Sequence, residues 1–222
     1  MQESRRLFLT GAGSAAVSLL TGCSTRSRRN TSDSLERISR SQYATMYGPI
    51  RDGGFSIPAI NLKKVPERFL RRQVDFDTRH RPGTLIVNTR NFYLHLVQKG
   101  DKAMRYGVGL GRAGFEWSGT GVIQWKQKWP KWTPPEEMIQ RQPELRKWSA
   151  DNGGQPPGLK NPLGARALYI FENGKDTLYR LHGTPEYWTI GKAVSSGCVR
   201  LMNQDIIDLY ARVPSGSKLI VI

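Results

Sequence analysis

Cysteine, histidine and acidic side chains are scarce in this chain. Its 222 residues include two cysteines, three histidines and 18 acidic residues against 34 basic ones. So few cysteines and histidines, with no CxxC pair, exclude a four-ligand Cys-type zinc site of normal spacing. The chain also lacks internal repeats and any run of about 20 apolar residues, which excludes solenoids and multi-span membrane proteins.

The N-terminus has the pattern of an export signal. The pair Arg5–Arg6 precedes an apolar run from Leu7 to Leu20, which is shorter than the roughly 20 residues that span a bilayer. This pattern predicts a twin-arginine-type lipoprotein signal over residues 1–22. The following Leu20-Thr21-Gly22-Cys23 resembles a lipobox and predicts lipidation of Cys23. The alternatives are an ordinary cleaved signal or an uncleaved anchor with an incidental cysteine.

The rest of the chain divides into three parts. Residues 23–46 are rich in Ser and Arg and predict a tether. Residues 47–81 predict an extended lead-in packed on the domain, and residues 82–222 the domain itself. We expect a periplasmic, lipid-anchored protein, on the outer membrane rather than the inner one. A disulfide between Cys23 and Cys198 is the alternative to a lipidated Cys23 and a free Cys198.

The domain pattern predicts a mainly β fold. Alternating apolar segments bounded by turns predict strands at 85–87, 92–97, 103–110, 121–125, 167–171, 177–181 and 218–222. An apolar face over 202–213 predicts one C-terminal helix, with Asn203 as its N-cap. The long loops exclude a doubly wound parallel sheet.

A Trp- and Pro-rich segment, residues 129–157, interrupts the strand pattern. It contains Trp129, Trp132 and Trp148 and a short predicted helix over 135–140. Such an insertion is typical of a lid or binding loop. It is equally typical of a satellite cluster of aromatic side chains packed under a long loop.

The net charge of +16 favours an acidic partner. Nucleic acid is the usual partner of a basic domain, but an exported protein rarely meets it. Peptidoglycan and lipid headgroups are the acidic polymers and surfaces of the envelope. The alternative is a solvated basic surface without a specific partner.

One histidine and one cysteine suggest nucleophilic catalysis. His182 ends a predicted strand, and Cys198 follows sixteen residues later. A thiol needs a base or a lowered pKa to act as a nucleophile, so we expect an imidazolium or backbone N–H groups to bring the Cys198 pKa to about 7 or lower. Gly197 lets the backbone approach a substrate, and the Gly183 carbonyl is the candidate to orient His182. The alternative is an inert buried thiol and a core histidine.

The motifs His182-Gly183-Thr184 and Ser195-Ser196-Gly197-Cys198-Val199-Arg200-Leu201 closely resemble the L,D-transpeptidase catalytic domain of the YkuD type. The resemblance covers roughly Pro58 to Ile222. It includes the segments 105–109, 129–139 and 161–169. It implies a β-sandwich or barrel-like catalytic domain.

The resemblance also implies residue roles. Cys198 would be the nucleophile, His182 the general base and acid, and Gly183 the orienting carbonyl. Ser195, Ser196 and Gly197 would line the oxyanion hole and substrate site. Arg200 would engage a substrate carboxylate or brace the loop, and Tyr169 and Trp188 would wall the donor site. Many members have His at the position of Ser196, so Ser196 is not assigned as an acid or base.

The implied reaction is a two-step acyl transfer on peptidoglycan stem peptides, which would need neither a metal nor an organic cofactor. Cys198 would release D-Ala from a tetrapeptide stem, and a diaminopimelate amine would take the acyl group to form a 3→3 cross-link. The acceptor could instead be an envelope protein amine or water. A non-catalytic peptidoglycan-binding lipoprotein is a further alternative. Carbapenems would acylate Cys198 by the same route.

Overall fold

The computed structural model describes residues 38–111, 118–195 and 197–222. The predicted signal (1–22), Cys23 and residues 24–37 of the predicted tether lie outside the described residues, as does Ser196. Among the described helices, none is long and apolar enough to span a membrane.

The described residues form mostly strands, joined by short helices. The strands are β1 Ile50–Asp52, β2 Phe55–Ile57, β3 Arg72–Asp75, β4 Leu85–Asn88, β5 Tyr93–Gln98, β6 Lys102–Gly107, β7 Leu110–Gly111, β8 Gly119–Lys128, β9 Arg166–Glu172, β10 Lys175–Thr184, β11 Ala193–Ser195, β12 Val199–Met202 and β13 Ser217–Val221. The α-helices are α1 Arg40–Met46, α2 Glu136–Arg141 and α3 Asn203–Arg212. Short 3₁₀ helices span Leu62–Lys64, Glu67–Phe69, Pro143–Trp148 and Tyr187–Thr189.

Nine of these strands form one mixed sheet. Its order is β12-β10-β9-β8-β13-β4-β5-β6-β3. The pairs β10–β12 and β13–β4 are parallel, and the other neighbours are antiparallel. Its two outermost strands, β12 and β3, are not paired with each other, so in the described part of the chain the sheet does not close into a barrel.

One hydrophobic core joins both halves of this sheet to α3. Its fully buried side chains include Leu94 and Tyr106 from one half, Leu168 and Leu181 from the other, and Ile206 from α3. The Tyr106 hydroxyl also donates a 2.6 Å hydrogen bond to Asp208 of α3. The sheet therefore curls, as large twisted sheets do, and one of its faces packs on α3.

The mainly β fold predicted from the sequence is confirmed. The predicted strands correspond to β4, β5, β6, β8, β9, β10 and β13. Strand β8 extends three residues beyond the predicted segment in the direction of Trp129, ending at Lys128. The long helix lies where the pattern places it, as α3.

The end of the predicted tether is folded. Residues 40–46 form α1, which begins with a capping box between Ser39 and Gln42. Tyr43 on this helix is 3% exposed and lies in a hydrophobic cluster with Tyr47. The structure therefore differs from the predicted tether over residues 40–46, because these residues form a helix and their one aromatic side chain, Tyr43, is buried.

The predicted lead-in, residues 47–81, adds structure to the domain. It contains the β1–β2 hairpin and the edge strand β3, which pairs with β6. The buried Tyr47 hydroxyl contacts both carboxylate oxygens of Asp205 at 3.0 and 3.2 Å. It also accepts a 2.6 Å hydrogen bond from the Arg71 backbone N–H. This segment is held to α3 by buried polar contacts.

The start of the Trp- and Pro-rich segment belongs to a small satellite core. Trp129 is 8% exposed and its ring centroid lies 4.1 Å from that of Phe55. Its indole N–H donates a 2.7 Å hydrogen bond to Asp52, which also forms a bidentate ion pair with Arg166. Of the two interpretations of this segment, the packing one applies to Trp129.

The predicted N-cap of the C-terminal helix is wrong. Met202 occupies the N-cap position, and Asn203 is the first helical residue. The Asn203 side chain instead accepts a 3.0 Å hydrogen bond from the Ala165 backbone N–H. The Asn203 side chain therefore makes a long-range hydrogen bond instead of capping the helix.

Candidate active site

The parallel pairing of β10 and β12 aligns the two predicted motifs. His182 lies opposite Arg200, and Leu181 lies opposite Val199. Side chains alternate between faces along a strand, so Arg180 shares the face of His182 and Arg200. Cys198 directly precedes β12, and Arg180 makes a backbone hydrogen bond to it. The sequence-distant His182 and Cys198 therefore belong to the same end of the sheet.

His182 is almost fully buried, with 4% of its surface exposed. Its Nδ1 lies 2.6 Å from the Gly183 carbonyl oxygen. When this carbonyl accepts, Nδ1 carries the proton, and Nε2 keeps its lone pair. Burial lowers the pKa of His182 to about 4, assisted by the positive charges of Arg200 and Arg180, whereas the Gly183 contact acts in the opposite direction. The ring is therefore neutral at pH 7.

Cys198 is partly exposed. Burial of its sulfur raises its pKa above the ordinary value for a thiol. The backbone hydrogen bond from Arg180 and the charges of Arg180 and Arg200 oppose that increase without cancelling it. The expectation of a thiol pKa near 7 or lower is wrong, because no imidazolium is present and burial disfavours the thiolate.

Arg200 lies directly opposite His182 in this site. It is 8% exposed, and its Nη1 forms a 3.2 Å ion pair with Glu186. Within the described residues its Nε and Nη2 are buried without a hydrogen-bond partner. Burial lowers the pKa of Arg200, although Glu186 and Cys198 act in the opposite direction. The guanidinium thus places a positive charge close to both His182 and Cys198.

At two glycines of the motifs a side chain would be strained or would overlap a neighbour. Gly197 has a φ of 128°, and a Cβ there would lie 3.0 Å from the Tyr179 ring. A Cβ on Gly183 would overlap the side-chain oxygen of Asn203. Larger residues at either position would move the backbone next to Cys198 or His182.

The other predicted site residues lie around this centre. Tyr169 is on β9 directly opposite Arg180. Trp188 is in the 3₁₀ helix Tyr187–Thr189 and is 44% exposed. Ser195 is the last residue of β11, which pairs with β7, and Ser196 lies outside the described residues. The roles of all these residues stay predictions.

Sequence reasoning missed Arg180 and Glu186. Arg180 stands two residues before His182 in one strand, so the alternation of strand side chains places it on the same face. Glu186 pairs with Arg200 only because the chain turns back after β10, and no local pattern marks that contact. In the described part of the chain, no group of three or more His, Cys, Asp or Glu side chains could hold a metal ion.

A comparison with protein families decides the affiliation of the chain. The model of the L,D-transpeptidase catalytic domain, YkuD, matches residues 82–222. The chain belongs to this family. The match includes every predicted site residue of the domain, from Tyr169 to Arg200.

Similar proteins carry the same family name. "Probable L,D-transpeptidase ErfK/SrfK" of Escherichia coli K12 is 33% identical over 146 residues, covering 62% of this chain and 43% of that protein. "Probable L,D-transpeptidase YbiS" of the same strain is 34% identical over 141 residues, covering 61% of this chain and 43% of that protein. The chain spans less than half the length of these curated relatives.

Solved structures are also similar to this chain. A Brucella melitensis protein described as "Probable carnitine operon oxidoreductase caia" is 39% identical, with a TM-score of 0.49, covering 73% of this chain and 99% of that one. "L,D-transpeptidase from Mycobacterium smegmatis" is 18% identical, with a TM-score of 0.45, covering 63% of this chain and 58% of that one.

Proposed function

We propose that this protein is a cysteine-dependent L,D-transpeptidase that cross-links peptidoglycan stem peptides. Family membership supports peptidoglycan cross-linking in general. The single observation that favours catalysis is the β10–β12 register, which brings the His182 and Cys198 motifs together with His182 Nδ1 fixed by Gly183. This arrangement suits a neutral imidazole acting as a base through Nε2.

In the first step, the Cys198 thiol transfers its proton to His182 Nε2 as its sulfur attacks the carbonyl carbon between diaminopimelate and the terminal D-Ala. The carbonyl electron pair moves to oxygen, where the backbone N–H groups of 196–198 would stabilise it. The oxyanion then collapses, the C–N bond breaks, and His182 gives its proton to the departing D-Ala amine. A thioester on Cys198 remains.

In the second step, the side-chain amine of another stem attacks the thioester carbonyl. His182 takes a proton from the attacking nitrogen, the C–S bond breaks, and the sulfur regains a proton from His182. The product is a 3→3 cross-link. Carbapenems would acylate Cys198 by the first step alone.

The raised thiol pKa and the lowered imidazole pKa favour a concerted proton transfer over a resting ion pair. The neutral pair needs no charged group in the buried site before the substrate arrives, which avoids a desolvation cost. The positive charges of Arg180 and Arg200 would then stabilise negative charge as it develops on the sulfur and the oxyanion. For Arg200 itself, the ion pair with Glu186 supports a bracing role.

The test is to incubate the purified full chain with disaccharide tetrapeptides and to analyse the products by mass. A cross-linked dimer with loss of D-Ala supports transpeptidation, whereas tripeptide alone supports hydrolysis. The variants Cys198→Ala and His182→Gln should abolish both products. His80→Gln, a matched histidine substitution outside this site, should leave them unchanged. A native chain that forms neither product contradicts the proposal.

The cellular site belongs to the same proposal. The Arg5–Arg6 pair and the Leu20–Cys23 motif support twin-arginine export to the periplasm and a lipid anchor at Cys23. Metabolic labelling with a fatty-acid analogue should label the native chain and leave Cys23→Ala unlabelled. Equal labelling of both would contradict the lipid anchor.

A further inference from the structure

A row of aligned side chains crosses the sheet from Cys198. Arg180 of β10, which makes the backbone hydrogen bond to Cys198, lies opposite Tyr169 of β9. Tyr169 in turn lies opposite Trp125 of β8. Directly opposed residues on neighbouring strands share a face of the sheet, so these four residues form a single line, named here the Cys198–Trp125 row.

Contacts within the row hold its side chains in place. The Arg180 guanidinium stacks 4.3 Å from the centre of the Tyr169 ring. The Tyr169 ring centre lies 4.4 Å from that of Trp125. The Tyr169 hydroxyl donates a 3.1 Å hydrogen bond to Gln127, which keeps the ring from turning. The row is therefore a preformed surface.

The row is also the open surface next to the nucleophile. Cys198, Arg180 and Tyr169 are partly exposed, and Trp125 is 53% exposed. In the neighbouring row on the same face, by contrast, Arg200, His182 and Ala167 are buried at 8%, 4% and 0% exposure. A ligand attached at Cys198 can follow the first row across the sheet, whereas the second row is covered.

The length of the row matches the length of a donor stem. Strand spacing is about 4.8 Å, so three spacings place Trp125 roughly 14 Å from Cys198. The three stem residues before the scissile bond extend about 10–11 Å, and the sugar ring follows after one further linking group. An extended stem along this row would bring its sugar to Trp125.

We infer that Trp125, supported by Tyr169, stacks against a sugar ring of the glycan that carries the donor stem. This inference rests on the proposed function. An exposed indole on an open sheet face offers a large apolar surface to the C–H face of a pyranose. Trp125 directly follows the irregular pairing between Ile123 and Trp125, where the ladder of β8 and β9 shifts register.

The experiment compares two donors with three variants. The donors are a disaccharide tetrapeptide and the same tetrapeptide without sugar, each turned over by the full chain. Trp125→Ala should raise the KM for the sugar-bearing donor roughly tenfold, as the loss of one buried aromatic face implies, and should leave the KM for the free peptide unchanged. Trp125→Phe should fall between native and Trp125→Ala. Ile222→Ala, a change at a side chain that is 60% exposed, is the matched control.

The outcomes separate the two proposals. Equal KM changes for both donors, or no change for either, would overturn the sugar contact while leaving the transpeptidase intact. Turnover of neither donor by the native chain would overturn both proposals. The rate of Cys198 alkylation, measured in each variant, should match that of the native chain, because Trp125 lies three strands away. A lowered rate would show that Trp125 acts through the fold and would contradict the inference.

Discussion

The protonation state of the Cys198–His182 pair can be tested with one substitution and one reagent. Burial raises the Cys198 pKa and lowers that of His182 to about 4. An unshifted thiol is about 3% thiolate at pH 7, so the thiolate fraction of Cys198 should be lower than this. Its alkylation rate by iodoacetamide should rise about tenfold per pH unit from pH 6 to 8, without an inflection in that range.

The informative variant is His182→Gln. A neutral imidazole does not stabilise the resting thiolate, so this variant should be alkylated within about twofold of the native rate at pH 7. The proposed transpeptidation should nevertheless fall by a factor of about 10²–10⁴, since the variant lacks the proposed general base. Rates are measured by intact mass over time, with His80→Gln as the control. An inflection near pH 6 in the native chain, together with a more than tenfold slower alkylation of His182→Gln, would refute the neutral pair and establish a thiolate–imidazolium pair.

Three further outcomes are expected. Burial raises the pKa of Asp205 to about 7, so its contribution to stability is complete below about pH 4 and is lost as the pH rises through 7. The free energy of unfolding of Asp205→Asn, relative to that of the native chain, should therefore increase by up to about 4 kcal/mol as the pH rises from 4 to 8. Denaturant unfolding measures this difference, and a difference that stays constant with pH would contradict the prediction. Gly183→Ala should abolish turnover, because its Cβ overlaps Asn203, and unchanged activity would be the contrary result. A carbapenem should add its mass to the native chain and not to Cys198→Ala, and an adduct on both would exclude Cys198 as the acylated residue.

Local patterns were sufficient to predict most of the strands. Alternation bounded by turns marks β4, β5 and β6, because neighbouring strands of a meander need only local pairing. The helix α1 was also readable, since Ser39 and Gln42 have the spacing of a capping box and Tyr43 and Tyr47 share one helical face. The Ser- and Arg-rich composition before it concealed this signal.

Long-range pairings could not be read from the sequence. Strand β13 lies between β8 and β4 although it ends the chain, and nothing in its five residues specifies these partners. Asn is a residue type preferred at N-caps, but the Asn203 side chain accepts a hydrogen bond from the Ala165 backbone N–H across the core. The expectation for the Cys198 pKa is wrong for the same reason, since the extent of burial depends on the whole fold.

The segment before residue 82 determines where a self-sufficient folding unit can begin. Phe69 packs so closely on Gly107 and Gly191 that neither position has space for a Cβ, and Tyr47 supplies the hydroxyl that contacts the buried Asp205. A chain truncated at the start of the family match would expose the edge of β6. It would also leave the buried Asp205 carboxyl without its contact to Tyr47. Proteolysis or truncation between Ser39 and Asp75 should therefore abolish the proposed activity without changing any residue of the His182 and Cys198 motifs.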